Sequence, residues 1–250
     1  MPWTEPPRAL DHEECRHDSV RMIELTLNGA RLFAEVAGAL YWPEQRTVVV
    51  SDLHFEKGSA FAARGVPLPP YDTAATLDRL EAVLERHQPE RVICLGDSFH
   101  DQGAAERASR DILDRVRSLA DGYEWIWITG NHDPSPDPLW GGRAVEDMVV
   151  GPLIFRHVAA RVPTGGEVSG HFHPKARVRL RGRSLSGQCF VTNGNRLVMP
   201  SFGAFTGGLD VSAPEIRDLF QGRFEILFLG PERLYRFPRS VLLPSRALAI

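Results

Sequence analysis

Apolar and polar positions change their period along this chain, and the changes mark out its elements. Met22 to Leu27 alternates with period two, and Leu32 to Tyr41 is short and apolar, so both stretches predict strands. Thr47-Val48-Val49-Val50 is a β-branched run that stops at Ser51-Asp52, which predicts a buried strand opening into a loop. From Asp72, read as a helix cap, to about His87, leucines at 77, 80 and 84 recur at helical spacing, with Pro89 just beyond. Arg91 to Leu95 predicts the next buried strand. Ala104 to Ala120 predicts a second helix with Ile112, Val116 and Leu119 inward, and Trp125 to Ile128 a third strand. Short strands follow, around 151–157, 166–170, 175–181, 188–193, 196–200, 224–229 and 232–237. This order predicts an α/β layered fold whose second half is mainly β. Residues 1–20 read as a poorly ordered tail and 21–250 as one domain, since no linker, repeat or low-complexity segment interrupts them.

Composition excludes several classes. Hydrophobic residues make up 43% and charged residues 24%, which excludes a mainly disordered chain. Twenty-nine basic against 32 acidic residues give a net charge of −3, which argues against a globally basic nucleic-acid binder and leaves a local basic patch open. Cys15, Cys94 and Cys189 are far apart, so neither a disulfide framework nor a thiolate metal site is expected. No apolar run approaches the ~20 residues of a membrane span, and the first residues lack a signal-peptide pattern, so the cytoplasm is the expected location.

The chemistry sits where predicted strands end. Three consecutive strands lead into Asp52-Leu53-His54, Gly96-Asp97-Ser98-Phe99-His100 and Gly130-Asn131-His132-Asp133. His157 and Gly170-His171-Phe172-His173 follow later strands. Sites in α/β sheets form at the carboxyl ends of strands, so these clusters are expected to converge. Asp, Asn and His together suit Mn²⁺, Fe or Zn²⁺ better than Ca²⁺. On extended backbone, residues i and i+2 share a side, so Asp52-x-His54 and His171-x-His173 can each grip an ion from one face. Seven candidate ligands (Asp52, His54, Asp97, Asn131, His157, His171 and His173) exceed the need of one ion and fit two with a bridging carboxylate. Singly, each such residue after a strand is most often a turn or cap residue. Four elements in order at strand ends are not explained that way.

The ordered set Asp52-x-His54, Gly96-Asp97-x-x-His100, Gly130-Asn131-His132-Asp133, His157 and Gly170-His171-x-His173 resembles the calcineurin-like metallophosphoesterase superfamily. The resemblance implies two mixed β-sheets packed as a sandwich with flanking helices, and a dinuclear centre of divalent ions, Mn²⁺ first, Fe or Zn²⁺ otherwise. It implies Asp52, His54 and His173 on one ion, Asn131, His157 and His171 on the other, and Asp97 as the bridge. His132 would stand over the phosphate and protonate the leaving oxygen, with Asp133 orienting it by a hydrogen bond. His100 departs from the superfamily's usual Asp or Asn, and no role follows for it or for Asp101.

Further stretches, Ala39 to Pro43, Asp52 to Ser59, Leu68 to Thr73, Gly96 to Asp101 and Pro200 to Gly208, are similar to the bacterial ligase-associated DNA damage response endonuclease family. This likeness absorbs His100. It implies DNA as substrate, hydrolysis by metal-activated hydroxide, and functional association with an ATP-dependent DNA ligase, an exonuclease and a helicase. A phosphatase, or a phosphodiesterase for small or cyclic nucleotides, would use the same site. A metallophosphoesterase scaffold that only binds proteins is a third reading, opposed by the complete ligand set and His132. Lys175, Arg177, Arg179, Arg181 and Arg183 alternate on one strand face, either to follow a polynucleotide backbone or as a charged edge strand. Lys57 and Arg64 are placed to reach phosphate. Phe202 to Gly208, with glycines and two aromatics, reads as core packing first and as lining of the site's mouth second, and His12, His17 and His87 as surface or tail residues without function.

Overall fold

A computed structural model describes residues 21–243 apart from Pro67, Pro70 and Arg181. The tail read over residues 1–20, with His12 and His17, and the Arg181 of the basic face lie outside the described residues.

The first sheet has seven strands in chain order: β1 (Met22–Leu27), β2 (Ala30–Glu35), β3 (Leu40–Trp42), β4 (Thr47–Val50), β5 (Arg91–Leu95), β6 (Glu124–Ile128) and β7 (Arg143–Val145). β1 to β4 pair antiparallel and β4 to β7 parallel. The parallel strands are buried on both faces, which is why they read as continuous apolar runs rather than alternating ones. Val49, Ile93, Ile126 and Ile128 face the interior between the sheets. Val48, Val50, Val92, Cys94, Trp125 and Trp127 face a helical layer. Four helices supply that region: α1 (Lys57–Ala63), α2 (Asp72–His87), α3 (Ala104–Arg107) and α4 (Arg110–Gly122). Leu77, Leu80 and Leu84 of α2 enter this layer as their spacing predicts.

The second sheet contains β8 (Asp147–Val150), β9 (Leu153–Arg156), β10 (Gly166–Ser169), β12 (Arg183–Thr192), β13 (Arg196–Val198), β14 (Glu225–Leu229) and β15 (Leu234–Pro238), with β11 (Lys175–Leu180) paired to β12 as a hairpin. Its order is β15-β14-β12-β13-β10-β9-β8. Leu153, Phe155, Val168, Phe190 and Leu227 meet the inner face of the first sheet, and each fully buried side chain of this kind contributes about 1.5–3 kcal/mol. A third apolar layer covers the outer face with Ile216 of α5 (Pro214–Arg217), Phe220 and Phe224. The fold is thus two mixed sheets with flanking helices, as the resemblance implies. Among the described residues no helix is long and apolar enough to cross a membrane.

Some local expectations are corrected. The helix read over 104–120 is two helices, because Ser109 turns extended and its side chain accepts from the Ile112 N–H to cap α4. Asp72 does not cap α2; its carboxylate accepts from the Gly58 N–H at 2.8 Å and so anchors the start of α1. His87 is not an idle surface group, since its side chain stacks on Tyr41 at 4.2 Å and lies 3.5 Å from the buried Glu35 carboxylate. Helix α1 and strands β7 and β8 were not expected; each is too short to display a period.

Candidate metal centre

Five parallel strands from two sheets end at one place. Asp52 follows β4, Asp97 follows β5 and Asn131 follows β6, neighbours in the first sheet. His157 follows β9, and His171 and His173 follow β10, neighbours in the second. The loops are stitched by backbone: His54 N–H donates to Asp97 O at 2.9 Å, Phe55 N–H to Ser98 O at 2.8 Å, and Gly170 N–H to His157 O at 3.0 Å.

The side chains converge by a different route from the one the sequence suggests. Asp52-x-His54 and His171-x-His173 are not extended. Asp52, His54, Asp97, His171 and His173 all adopt left-handed backbone, with φ of 51°, 47°, 46°, 70° and 45°. Such a conformation costs a residue with a Cβ about 1–2 kcal/mol. The packing imposes it, and the result is tight turns that aim neighbouring ligand atoms inward. Glycines permit the crowding. A Cβ on Gly130 would lie 2.2 Å from the Asp97 backbone nitrogen, and one on Gly170 would lie 1.8 Å from Ser51 Oγ.

Two trios result. In the first, His173 Nε2 lies 3.1 Å from Asp52 Oδ1 and 3.4 Å from His54 Nε2. In the second, His157 Nε2 lies 3.4 Å from Asp97 Oδ2, 3.2 Å from His171 Nδ1 and 3.0 Å from Asn131 Oδ1. Within each trio (Asp52, His54, His173; Asp97, His157, His171) the potential ligand atoms lie within 4.8 Å of one another. Imidazole nitrogens aimed at each other beside a carboxylate form a donor set that a divalent cation satisfies.

The electrostatics agree. Burial, with His173 adding to it and Asp52 and Asp97 opposing, holds His54 down to about 3, which keeps the imidazole neutral, the form in which a ring nitrogen can accept a cation. Burial alone would raise Asp52 and Asp97, but their histidine partners outweigh it and lower both, Asp97 to about 2. His157 Nδ1 meets the Leu95 carbonyl at 2.8 Å, which turns Nε2 toward the trio.

His132 and Asp133 are both present, with one correction. Asp133 does not orient His132. Its two oxygens accept four backbone N–H groups, from Asp97, Ser98, Phe99 and Gly130, at 2.8–3.2 Å. It therefore ties the β5 loop to the β6 loop. Burial and the nearby Asp97 push it up to about 7, with those donors opposing. The group that engages His132 is the carbonyl of His100, 2.7 Å from His132 Nδ1. His54, His100 and His132 form a third cluster, with ring centroids 5.1–5.8 Å apart. No role for His100 followed from its motif, and its place three residues after Asp97 in Gly-Asp-x-x-His was the available signal. Burial, with His132 and Lys57 nearby, lowers His100 to about 4.

The other sites divide. Lys57 begins α1 near His100. Lys175 and Arg177 are half-buried and Arg179 is exposed on one face of β11, while Ala176 and Val178 are buried on the other. Phe202 is core, as read, but Phe205 in the same stretch is 51% exposed.

The model of the calcineurin-like phosphoesterase family matches residues 45–192, more than half of the chain and all the loops above. The chain belongs to this family. The calcineurin-like phosphoesterases use divalent metals, and among the described residues the two trios and the His54, His100 and His132 cluster are groups that could hold one. This phosphoesterase is similar to the solved structure of Pseudomonas putida nuclease MPE, with 26% identity and a TM-score of 0.67. The match covers 86% of this chain and 100% of that one. It also matches the phosphoesterase Yfce of E. coli at 12% identity and a TM-score of 0.41, over 77% of this chain and 98% of that one. No curated protein matches the chain.

Proposed function

We propose that this phosphoesterase is a dinuclear phosphodiesterase that cuts DNA internally, through the single domain read over residues 21–250. The observation that supports DNA is the likeness to a nuclease over that nuclease's full length. The ligase-associated family resemblance extends the reading to DNA repair in the cytoplasm beside an ATP-dependent ligase, an exonuclease and a helicase.

Asp52, His54 and His173 would hold one ion and Asn131, His157 and His171 the other, with the Asp97 carboxylate available to both. Mn²⁺ is the preferred occupant, since the donors mix hard oxygen with imidazole. When bound, divalent ions polarise phosphate oxygens and acidify water. The chain's own groups do the rest. His132 Nδ1–H donates to the His100 carbonyl, so Nε2 is the nitrogen left to face the departing oxygen, and it gives that oxygen a proton only from the doubly protonated ring. Asp97 Oδ1 accepts from the His132 backbone N–H at 2.9 Å, which couples the position of the acid to the bridge. Lys57 draws the substrate phosphate, and Arg177 and Arg179 follow the polynucleotide backbone.

A circular single-stranded DNA tests this, since a circle has no ends. Mn²⁺-dependent linearisation is expected, beside hydrolysis of a small chromogenic phosphodiester. An intact circle with the small diester hydrolysed would refute endonuclease action.

A further inference from the structure

A second concave feature lies beside the metal centre. A cavity of about 670 Å³ is bounded by the turn between β2 and β3, Arg79 of α2, Leu185, Ser186 and Gln188 of β12, and the β14–β15 turn with Phe228 and Tyr235. Because β2 and β4 both run antiparallel to β3, the turn after β2 lies at the edge where β4 ends in Asp52. Cavity and metal centre therefore share one edge of the fold.

One loop contacts residues of both. Phe202 N–H donates to Ser51 O at 2.7 Å and Gly203 N–H to Asp52 O at 3.0 Å, beside the metal centre. Gln188, which lines the cavity, donates from Nε2 to Ser201 O at 3.0 Å and Oγ at 2.9 Å, and Lys175 Nζ donates to Thr206 O at 3.3 Å. Phe205 rises from this loop half exposed, with a left-handed φ of 55° that an aromatic residue rarely adopts. Strain held in place by surrounding hydrogen bonds, beneath an exposed aromatic ring, points to a role for the ring.

The lining is selective for one chemistry. It contains no acidic side chain. The Arg79 guanidinium lies over the Phe202 ring at 4.4 Å and has no carboxylate against it among the described residues. In the hairpin register Lys175 stands opposite Gln188, Arg177 opposite Ser186 and Arg179 opposite Ser184. Cross-strand pairs project from the same face, so three cations stand beside the polar wall of the cavity. Leu185, Phe228 and Tyr235 add apolar and aromatic surface. Cations interleaved with aromatic faces suit a strand of unpaired nucleotides. Another cavity, of about 330 Å³ beside Asn131 and His157, carries Glu146 and Asp147 against one cation, Arg156, already paired with Asp147 at 2.7 Å, so it suits a phosphate backbone less well.

We propose that the Arg79 cavity is a distal nucleotide subsite: it takes one unpaired base and its phosphate from the same strand whose scissile phosphate lies at the metal centre. This rests on the DNA reading above. The strand passes over Phe205, which stacks a base on the way. The subsite contributes affinity for long substrates and nothing to the bond-breaking step, so a small diester does not sense it.

The test compares wild type with Arg79→Gln and Ser186→Glu, on a single-stranded oligonucleotide of ~12 nucleotides and on a small chromogenic phosphodiester. Ser186 is exposed on the hairpin, so Ser186→Glu changes charge without disturbing the core. Both variants are expected to raise KM for the oligonucleotide about tenfold, with its kcat and the small-diester rate unchanged. Oligonucleotide KM values within twofold of wild type in both variants would overturn the subsite and leave the DNA reading intact. Wild type that hydrolyses the small diester but not the oligonucleotide would overturn the DNA reading, and the subsite with it.

Discussion

Asp97 and His157 face each other across the two sheets, with 3.4 Å between Oδ2 and Nε2, although one follows β5 and the other β9. The contact is where the halves of the centre meet, and it sets a proton against a metal ion. Burial opposes charge on His157, but Asp97 and Asp52 outweigh it and raise the imidazole to about 9. A raised histidine contributes stability that is complete below its unfolded value near 6.5 and is lost as pH climbs through about 9. Metal-free protein should therefore lose melting temperature between about pH 6.5 and 9. Metal-loaded protein should not show this loss, because a cation replaces the proton. Calorimetry in buffers of different ionisation heat should also register proton release when ions bind at pH 7. A flat metal-free profile with no proton release would contradict the pairing.

In the proposed reading His132 acts on the leaving oxygen, although with His54 and His100 it forms a group that could hold an ion. His132→Ala should keep both ions and lose roughly 10²–10⁴ in turnover on a small phosphodiester. Loss of an ion in this variant would make His132 a ligand instead.

Asp133 supports the loops that carry Asp97 and Asn131. Asp133→Ala leaves four N–H groups without their acceptor, three of them buried at about 1–3 kcal/mol each and that of Gly130 half-buried. The unfolding free energy should fall by at least ~3 kcal/mol in urea titration. Asp133→Asn keeps one acceptor oxygen and should fall between that variant and wild type. A neutral effect of both would mean that the loops stand without this carboxylate.

Much of this architecture was legible in the chain. Thr47–Val50, Arg91–Leu95 and Trp125–Ile128 are continuous apolar runs because sheet and helices cover both faces, and each ends in the polar cluster that marks a strand terminus. The alternation of Arg177, Val178 and Arg179 gave the faces of β11 correctly. What could not be read was long-range. No spacing rule joins Asp133 to the N–H groups of Asp97, Ser98 and Phe99, or His132 to a carbonyl 32 residues away. The left-handed turns at Asp52 and His54 are uncommon for any residue with a Cβ, though Asp and His adopt them more readily than most, and packing rather than local sequence pattern selects them. Phe202 and Phe205 look alike in sequence, yet one is buried and the other stands in solvent.

The dinuclear reading puts one ion in each trio and makes Asp97, a member of the second, the carboxylate available to both. Metal content per chain, measured after loading with Mn²⁺ and removal of excess, tests it most directly when paired with the rate on a small phosphodiester. Wild type should hold two ions, and Asp97→Ala, still folded, should lose ions and activity together. Full activity in wild type with a single ion, or Asp97→Ala that keeps two ions and full rate, would contradict the account.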